Sequence, residues 1–313
     1  MTARTRLAAL VVSALLTSSC GEDGQARSSH SPATDASTSA STDVVLPTEH
    51  YVDVGESKMY MLCWNEPVPD EPSILLMSGA ELLTSSWENM AYALAPEGHH
   101  ICAYDRLGVG NSDPPAEASR TTADQVDELE GLLDSADLEQ PVVIAAHSIA
   151  GLLAVALVDQ APERVAGMVL VDPLPPRLSI AQRAALPPKK RHESRVLTEE
   201  RRFLNGYLND PAQNSEHLLL GANDKYVARL LDEPGPVFGD LPLIVLQQPR
   251  RPSIEGVPRD YNRATLAAID DGMEEYAAES TRGRLIHVND TGHMIQDDQP
   301  QVVMDAIRDV LAE

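Results

Sequence analysis

The chain returns several times to apolar runs that are too short for helices and have no polar face. "PVVIAAHS" (Pro141–Ser148), "PSILLMSG" (Pro72–Gly79), "GMVLVDP" (Gly167–Pro173) and "LPLIVLQQ" (Leu241–Gln248) are of this kind. A strand that is apolar on both sides must be covered on both sides, which places it inside a parallel sheet layered by helices. "SKMYMLCW" (Ser57–Trp64), "HHICAYDR" (His99–Arg106) and "RLIHVND" (Arg284–Asp290) read as further strands.

Segments of helical period separate these runs. "TTADQVDELEGLLDSA" (Thr121–Ala136) carries Val126, Leu129, Leu132, Leu133 and Ala136 on one stripe, with Thr122 and Gln125 as a capping box. A helix from near Ser85–Ser86 aligns Trp87, Met90 and Leu94, and a last one from near Pro300 aligns Val303, Ala306, Ile307 and Val310. The expected fold is α/β, a mainly parallel sheet flanked by helices. One stretch breaks the rhythm. Leu174–Asp240 is rich in Pro, Arg and Glu and holds two helix-like pieces, Leu197–Leu208 and Ser215–Leu231. An insertion of that length reads as a helical cap over a functional site.

The N-terminus reads as separate from the fold. Arg4 and Arg6 precede an apolar run, Leu7–Leu16, too short to span a bilayer, and "LTSSC" ends at Cys20. This pattern resembles the lipobox of bacterial lipoprotein signal peptides, with Thr17 where Leu is usual. It implies a signal peptide over residues 1–20, lipidation at Cys20, and export to the cell envelope with the membrane met only through that anchor. Residues 21–47, rich in Ser, Thr, Ala and Asp, read as a flexible linker, leaving 48–313 as the domain. With Cys20 modified, Cys63 and Cys102 remain as an even pair in an oxidising compartment. The chain carries 48 acidic against 24 basic residues, a net charge of −24, which argues against nucleic acid as a partner.

The chemistry concentrates at one hydroxyl. In Ala146-His147-Ser148-Ile149-Ala150 a serine stands where an apolar strand turns sharply into an apolar helix. Small residues two places before and after it permit a bend that lifts its Oγ above the sheet, although the usual glycines are alanines here. Read alone, the same serine could be a plain helix N-cap. His293, in "NDTGHMIQDDQP", lies in a loop after the last strand, where an imidazole can reach back as a base. "YDRLGVGNSD" (Tyr104–Asp113) and "LLMSGA" (Leu75–Ala80) follow two other strands.

Together these four segments, in their order along the chain, resemble the α/β-hydrolase fold family from about Tyr51 to the C-terminus. The resemblance implies Ser148 as nucleophile, His293 as base and an acid that orients it. Asp172, at the end of "MVLVDP", is the favoured acid, with Glu255 and Asp260 as alternatives. It also implies an oxyanion hole from the backbone N–H groups of Ala80 and Ile149, although Ser78 stands where the family's His is usual. Gly79 and Glu81 border the substrate. His147 reads as elbow packing, Asp105 and Arg106 as bracing their own loop, and His287 as packed in its strand. The family's strand order makes the strands of Cys63 and Cys102 neighbours, so a disulfide between them is expected. No cofactor and no metal site is implied. The expected function is cleavage of an ester, thioester or related acyl bond in a small-molecule substrate. The alternatives are a lyase or cofactor-free haloperoxidase on the same triad, or a non-catalytic surface lipoprotein of the same fold.

Overall fold

The computed structural model describes residues 45–136, 138, 140–249 and 253–313. The expected signal peptide, Cys20 and most of the linker lie outside them. Eight strands form one sheet: β1 (Thr48–Val54), β2 (Ser57–Trp64), β3 (Ile74–Met77), β4 (Ile101–Tyr104), β5 (Val142–His147), β6 (Val165–Val171), β7 (Leu243–Gln247) and β8 (Gly283–His287). Their spatial order is β1-β2-β4-β3-β5-β6-β7-β8. The pairs β1–β2 and β2–β4 are antiparallel, and every other pair is parallel. The helices are α1 (Glu88–Leu94), α2 (Thr122–Ser135), α3 (Ala150–Gln160), α4 (Leu178–Ala185), α5 (Arg195–Arg202), α6 (Leu220–Leu230), α7 (Arg259–Ala278), α8 (Ile295–Asp298) and α9 (Pro300–Leu311). Among the described residues no helix is long and apolar enough to cross a membrane.

The double-sided apolar runs have the reason expected of them. Along β5, Val142, Ile144 and Ala146 enter one apolar layer, and Val143 and Ala145 the other. The period of two in a strand deals successive residues to opposite faces, and both faces are covered here. Helices α2 and α3 supply Val126, Leu129, Leu132 and Leu153 to the first layer. Helices α1 and α9 supply Met90, Leu94, Val303 and Ile307 to the second.

Two local expectations are corrected, and one strand was not expected. The capping box of α2 lies one residue earlier. Thr121 Oγ1 accepts from the Asp124 N–H, and Asp124 Oδ2 accepts from the Thr121 N–H. Thr122 turns instead to Asn223, at 2.9 Å. Strand β8 ends at His287, which is exposed rather than packed, because this edge strand is covered on fewer sides. Strand β1, absent from the sequence reading, pairs with β2 along its whole length yet buries only Val52 and Val54.

The segment between β6 and β7 holds α4, α5 and α6, and a π-helical turn over Phe203–Tyr207 continues α5. Of these, α4 falls outside both helix-like pieces read from the sequence. Cys63 and Cys102, directly opposite in the β2–β4 register, form a disulfide with an S–S distance of 2.11 Å.

Candidate active site

The functional segments converge on one rim of the sheet because parallel strands deliver their C-terminal ends to the same side. Ser148 follows β5, Asp172 follows β6, the Ser78–Gly79–Ala80 turn follows β3, and the loop after β8 brings His293 back across them. Ser148 has φ +57° and Asp172 φ +41°, a left-handed conformation costly for residues with a Cβ. Hydrogen bonds between their two turns hold both in place. The Ser148 N–H donates to Val171 O at 3.2 Å, and the Leu174 N–H to Ser148 O at 2.9 Å.

Tight packing explains the small residues around the serine. A Cβ on Gly79 would lie 2.8 Å from His147 Nδ1 and 3.2 Å from Ser148 Cβ. One on Gly151, in the first turn of α3, would lie 2.8 Å from Pro173 Cβ. Any side chain at either place would push the serine turn away from its neighbours.

Three side chains come into line. His293 Nδ1 is 2.6 Å from Asp172 Oδ2, and His293 Nε2 is 3.1 Å from Ser148 Oγ. A carboxylate only accepts, so Nδ1 carries the proton and donates it to Asp172. Nε2 then presents its lone pair to the Ser148 hydroxyl. The three residues are 8%, 4% and 0% exposed in the order Ser148, His293, Asp172, so the row runs inward from the rim. Asp172 Oδ1 also accepts from the Gln248 N–H at 3.1 Å. Asp260, by contrast, is exposed and paired with Arg263 on the same helix, and Glu255 is exposed on the loop before α7.

His147 does more than fill the elbow. Its Nε2–H donates to the backbone carbonyl of His293 at 3.0 Å, and the two rings lie 4.6 Å apart. Burial first, and the neighbouring His293 second, hold its imidazole well below the ordinary histidine range, so it stays neutral. It therefore fixes the backbone of the loop that carries His293. Its partner lies 146 residues away, and no local pattern in the sequence announces the contact.

Among the described residues the N–H groups of Ala80 and Ile149 donate to no other group. The first adjoins Gly79, which backs onto the serine turn, and the second immediately follows Ser148. Glu81 has φ +56° and an exposed side chain. Partial burial raises its carboxyl above the usual range, and the Glu216 charge adds to this. Ile149 also packs against four buried leucines of the segment between β6 and β7: Leu204, Leu208, Leu218 and Leu220. That segment therefore lies over the residue next to Ser148.

Among the described residues Cys63, His100 and Cys102 are the one group of three whose ligand atoms cluster, and both sulfurs are committed to the disulfide.

Comparison with known proteins agrees with this geometry at the level of the fold. The sequence profile of the Alpha/beta hydrolase family matches residues 74–306. The probable transporter efuK of Hormonema carpetanum is 26% identical over 84% of this chain and 42% of its own length. The proline iminopeptidase of Lactobacillus delbrueckii subsp. bulgaricus is 30% identical over 41% of this chain and 44% of its own length. The chain thus spans less than half the length of both these curated relatives. The enol-lactonase from Burkholderia xenovorans LB400 superposes with a TM-score of 0.57 at 17% identity, covering 84% of this chain and 100% of that one.

Proposed function

We propose, for a chain that belongs to the Alpha/beta hydrolase family, that it is an exported serine hydrolase cleaving an ester, thioester or related acyl bond. The observation that carries this reading is the unbroken row Ser148 Oγ–His293 Nε2/Nδ1–Asp172 Oδ2, with contacts of 3.1 and 2.6 Å. His293 takes the hydroxyl proton as Ser148 Oγ bonds to the carbonyl carbon. The carbonyl π electrons move onto oxygen, and the N–H groups of Ala80 and Ile149 receive that oxyanion. Asp172 stabilises the imidazolium. The imidazolium gives its proton to the departing alcohol or thiol, leaving an acyl-Ser148. Water, deprotonated by His293, attacks the acyl-enzyme and releases the acid. The leucine cluster over Ile149 favours an apolar acyl group beneath the 174–240 segment, which acts as a cap. No step calls for a cofactor.

A fluorophosphonate probe with peptide mapping tests the nucleophile. Labelling is expected on Ser148 and lost in Ser148→Ala, while Asp172→Asn lowers kcat on p-nitrophenyl butyrate about 10⁴-fold. Labelling elsewhere, or turnover that survives Ser148→Ala, would sink the reading.

Export and a lipid anchor at Cys20 belong to the same proposal. They rest on the Arg4/Arg6 and Leu7–Leu16 pattern and agree with a disulfide suited to an oxidising compartment. Cys20→Ala should move the protein from the membrane fraction to the soluble fraction of a bacterial expression host. An unchanged distribution removes the anchor and leaves the chemistry standing.

A further inference from the structure

Arg106 was expected to brace its own loop, but its guanidinium reaches much further. Nη1 donates to Ser78 O at 2.5 Å, and Nη2 donates to Gly79 O at 2.9 Å. Nε donates to Glu216 Oε2 at 2.7 Å and Nη2 to Glu216 Oε1 at 3.0 Å. The arginine is 4% exposed and the glutamate 2%. A bidentate pair of this kind fixes the plane of the guanidinium as well as its position.

Glu216 is itself held. Its backbone carbonyl accepts from Arg120 Nη1 at 2.8 Å, and Arg120 pairs with Glu128 on α2. Gly108, at φ +89°, fits closely against Ser215, where a Cβ would lie 2.2 Å from the Ser215 carbonyl oxygen. The carboxylate on the 174–240 segment is thus a fixed post, and the guanidinium spans from it to the turn after β3.

The direction of the turn follows from peptide geometry. No peptide bond in the described chain is cis, and in a trans peptide the carbonyl and the next N–H point in opposite directions. With Gly79 O drawn to Arg106, the Ala80 N–H points away from the guanidinium. The geometry points to Arg106 as a positioning residue that, held by Glu216 of the insertion, aims the Ala80 N–H at the developing oxyanion. This rests on the serine-hydrolase reading and adds that the donor's direction is set from the insertion. The charge of Arg106 does not meet the substrate. It acts on the far side of the peptide plane.

The test pairs Arg106→Met with Glu216→Leu, so that neither charge is left buried and alone. Turnover of p-nitrophenyl butyrate, inhibition by 1-butaneboronic acid and inhibition by butyrate are measured on this variant, with its thermal midpoint. The expected result is a fall in kcat of about 10²-fold with KM within about threefold. Boronic acid affinity should fall in step with kcat, and butyrate inhibition should hold. A merely structural role would move both inhibitors together with KM. Wild-type kcat and boronic acid affinity, or a parallel loss of both inhibitors, overturns the inference. If the double variant does not fold, Glu216→Gln keeps one acceptor and should lower kcat about tenfold; an unchanged kcat there overturns it equally. Ser148→Ala, run beside them, separates the two claims. If that variant is inactive while the pair keeps its kcat, only the role of Arg106 falls.

Discussion

Around β5 and β7, position is set by aliphatic packing: Ile144, Ala145, Val245 and Leu246 are all essentially unexposed and belong to two continuous apolar layers. The segment between β6 and β7 joins the first of these layers through Leu178, Val227, Leu231 and Phe238 and forms a separate apolar cluster with four buried members, and buried polar groups add directional anchors. Asp224 accepts from the N–H groups of Arg177 and Ser179 and from the Ser179 hydroxyl. Glu200 accepts from the Tyr261 hydroxyl at 2.7 Å, tying α5 to α7. Nearer the surface, Arg177 pairs with both Asp232 and Glu275. Non-directional packing tolerates exchange of one aliphatic group for another, whereas a buried polar anchor depends on one partner in one orientation. Loss of one such anchor should therefore loosen the segment before it disturbs the serine and histidine turns.

The largest break in this comparison should come from Leu246→Ala. Removing this side chain empties space in the second layer and should cost about 2–5 kcal/mol in denaturant unfolding, with the whole domain affected. A loss below about 1 kcal/mol would mean that the layer collapses around the gap rather than being close-packed.

Asp224→Asn should cost less, about 1–3 kcal/mol, because it leaves donors short of an acceptor rather than opening a cavity. Limited proteolysis should show the new cleavages within residues 174–240 while the sheet stays intact. Cleavages spread evenly over the chain would show that the two regions unfold as one.

The smallest effect is a slope with pH. His147 and His100 are both pushed below the ordinary histidine value by burial. Below about pH 6.5 the unfolded chain binds protons that the folded sheet refuses, so stability falls as pH drops through that point. Each group can contribute up to about 1.4 kcal/mol per pH unit. In the insertion, burial raises the Asp224 and Glu200 carboxyls. Their protonation is favoured in the fold, so they oppose the loss once pH approaches the carboxylate range. His147→Gln should flatten the slope between pH 6.5 and 5. An unaltered slope would place its origin in other groups.

The parts read from the residues themselves have partners close along the chain, whereas the distant pairs Ser148–His293, His293–Asp172 and Cys63–Cys102 were expected only through the family resemblance. Strand, turn and helix around Ser148 form one contiguous stretch, so small residues on both sides suggested a bend there, with a plain N-cap as the local alternative. Strand β1 escaped because only Val52 and Val54 of its seven residues are buried, leaving no apolar run to notice. Helix α4 escaped because it follows the Pro-rich Pro173–Pro176 stretch, where a break is the natural expectation. The expected capping box was shifted because Thr121 and Thr122 are adjacent and chemically alike; only the fold sends the second one to Asn223. The bridge from Arg106 to Glu216 spans 110 residues, and the clasp from His147 to His293 spans 146. Chain pattern carries no trace of either, because both depend on what the sheet order brings together.

The disulfide has a consequence for how the chain can come apart. Cys63 and Cys102 are 39 residues apart in sequence, and the covalent ring they close contains β3, α1 and the Ser78–Ala80 turn. A protease that nicks this ring once would yield two fragments that travel as a single species until a thiol is added. The Ser78–Ala80 turn would then stay directly continuous with only one of β2 and β4 and be joined to the other through the disulfide.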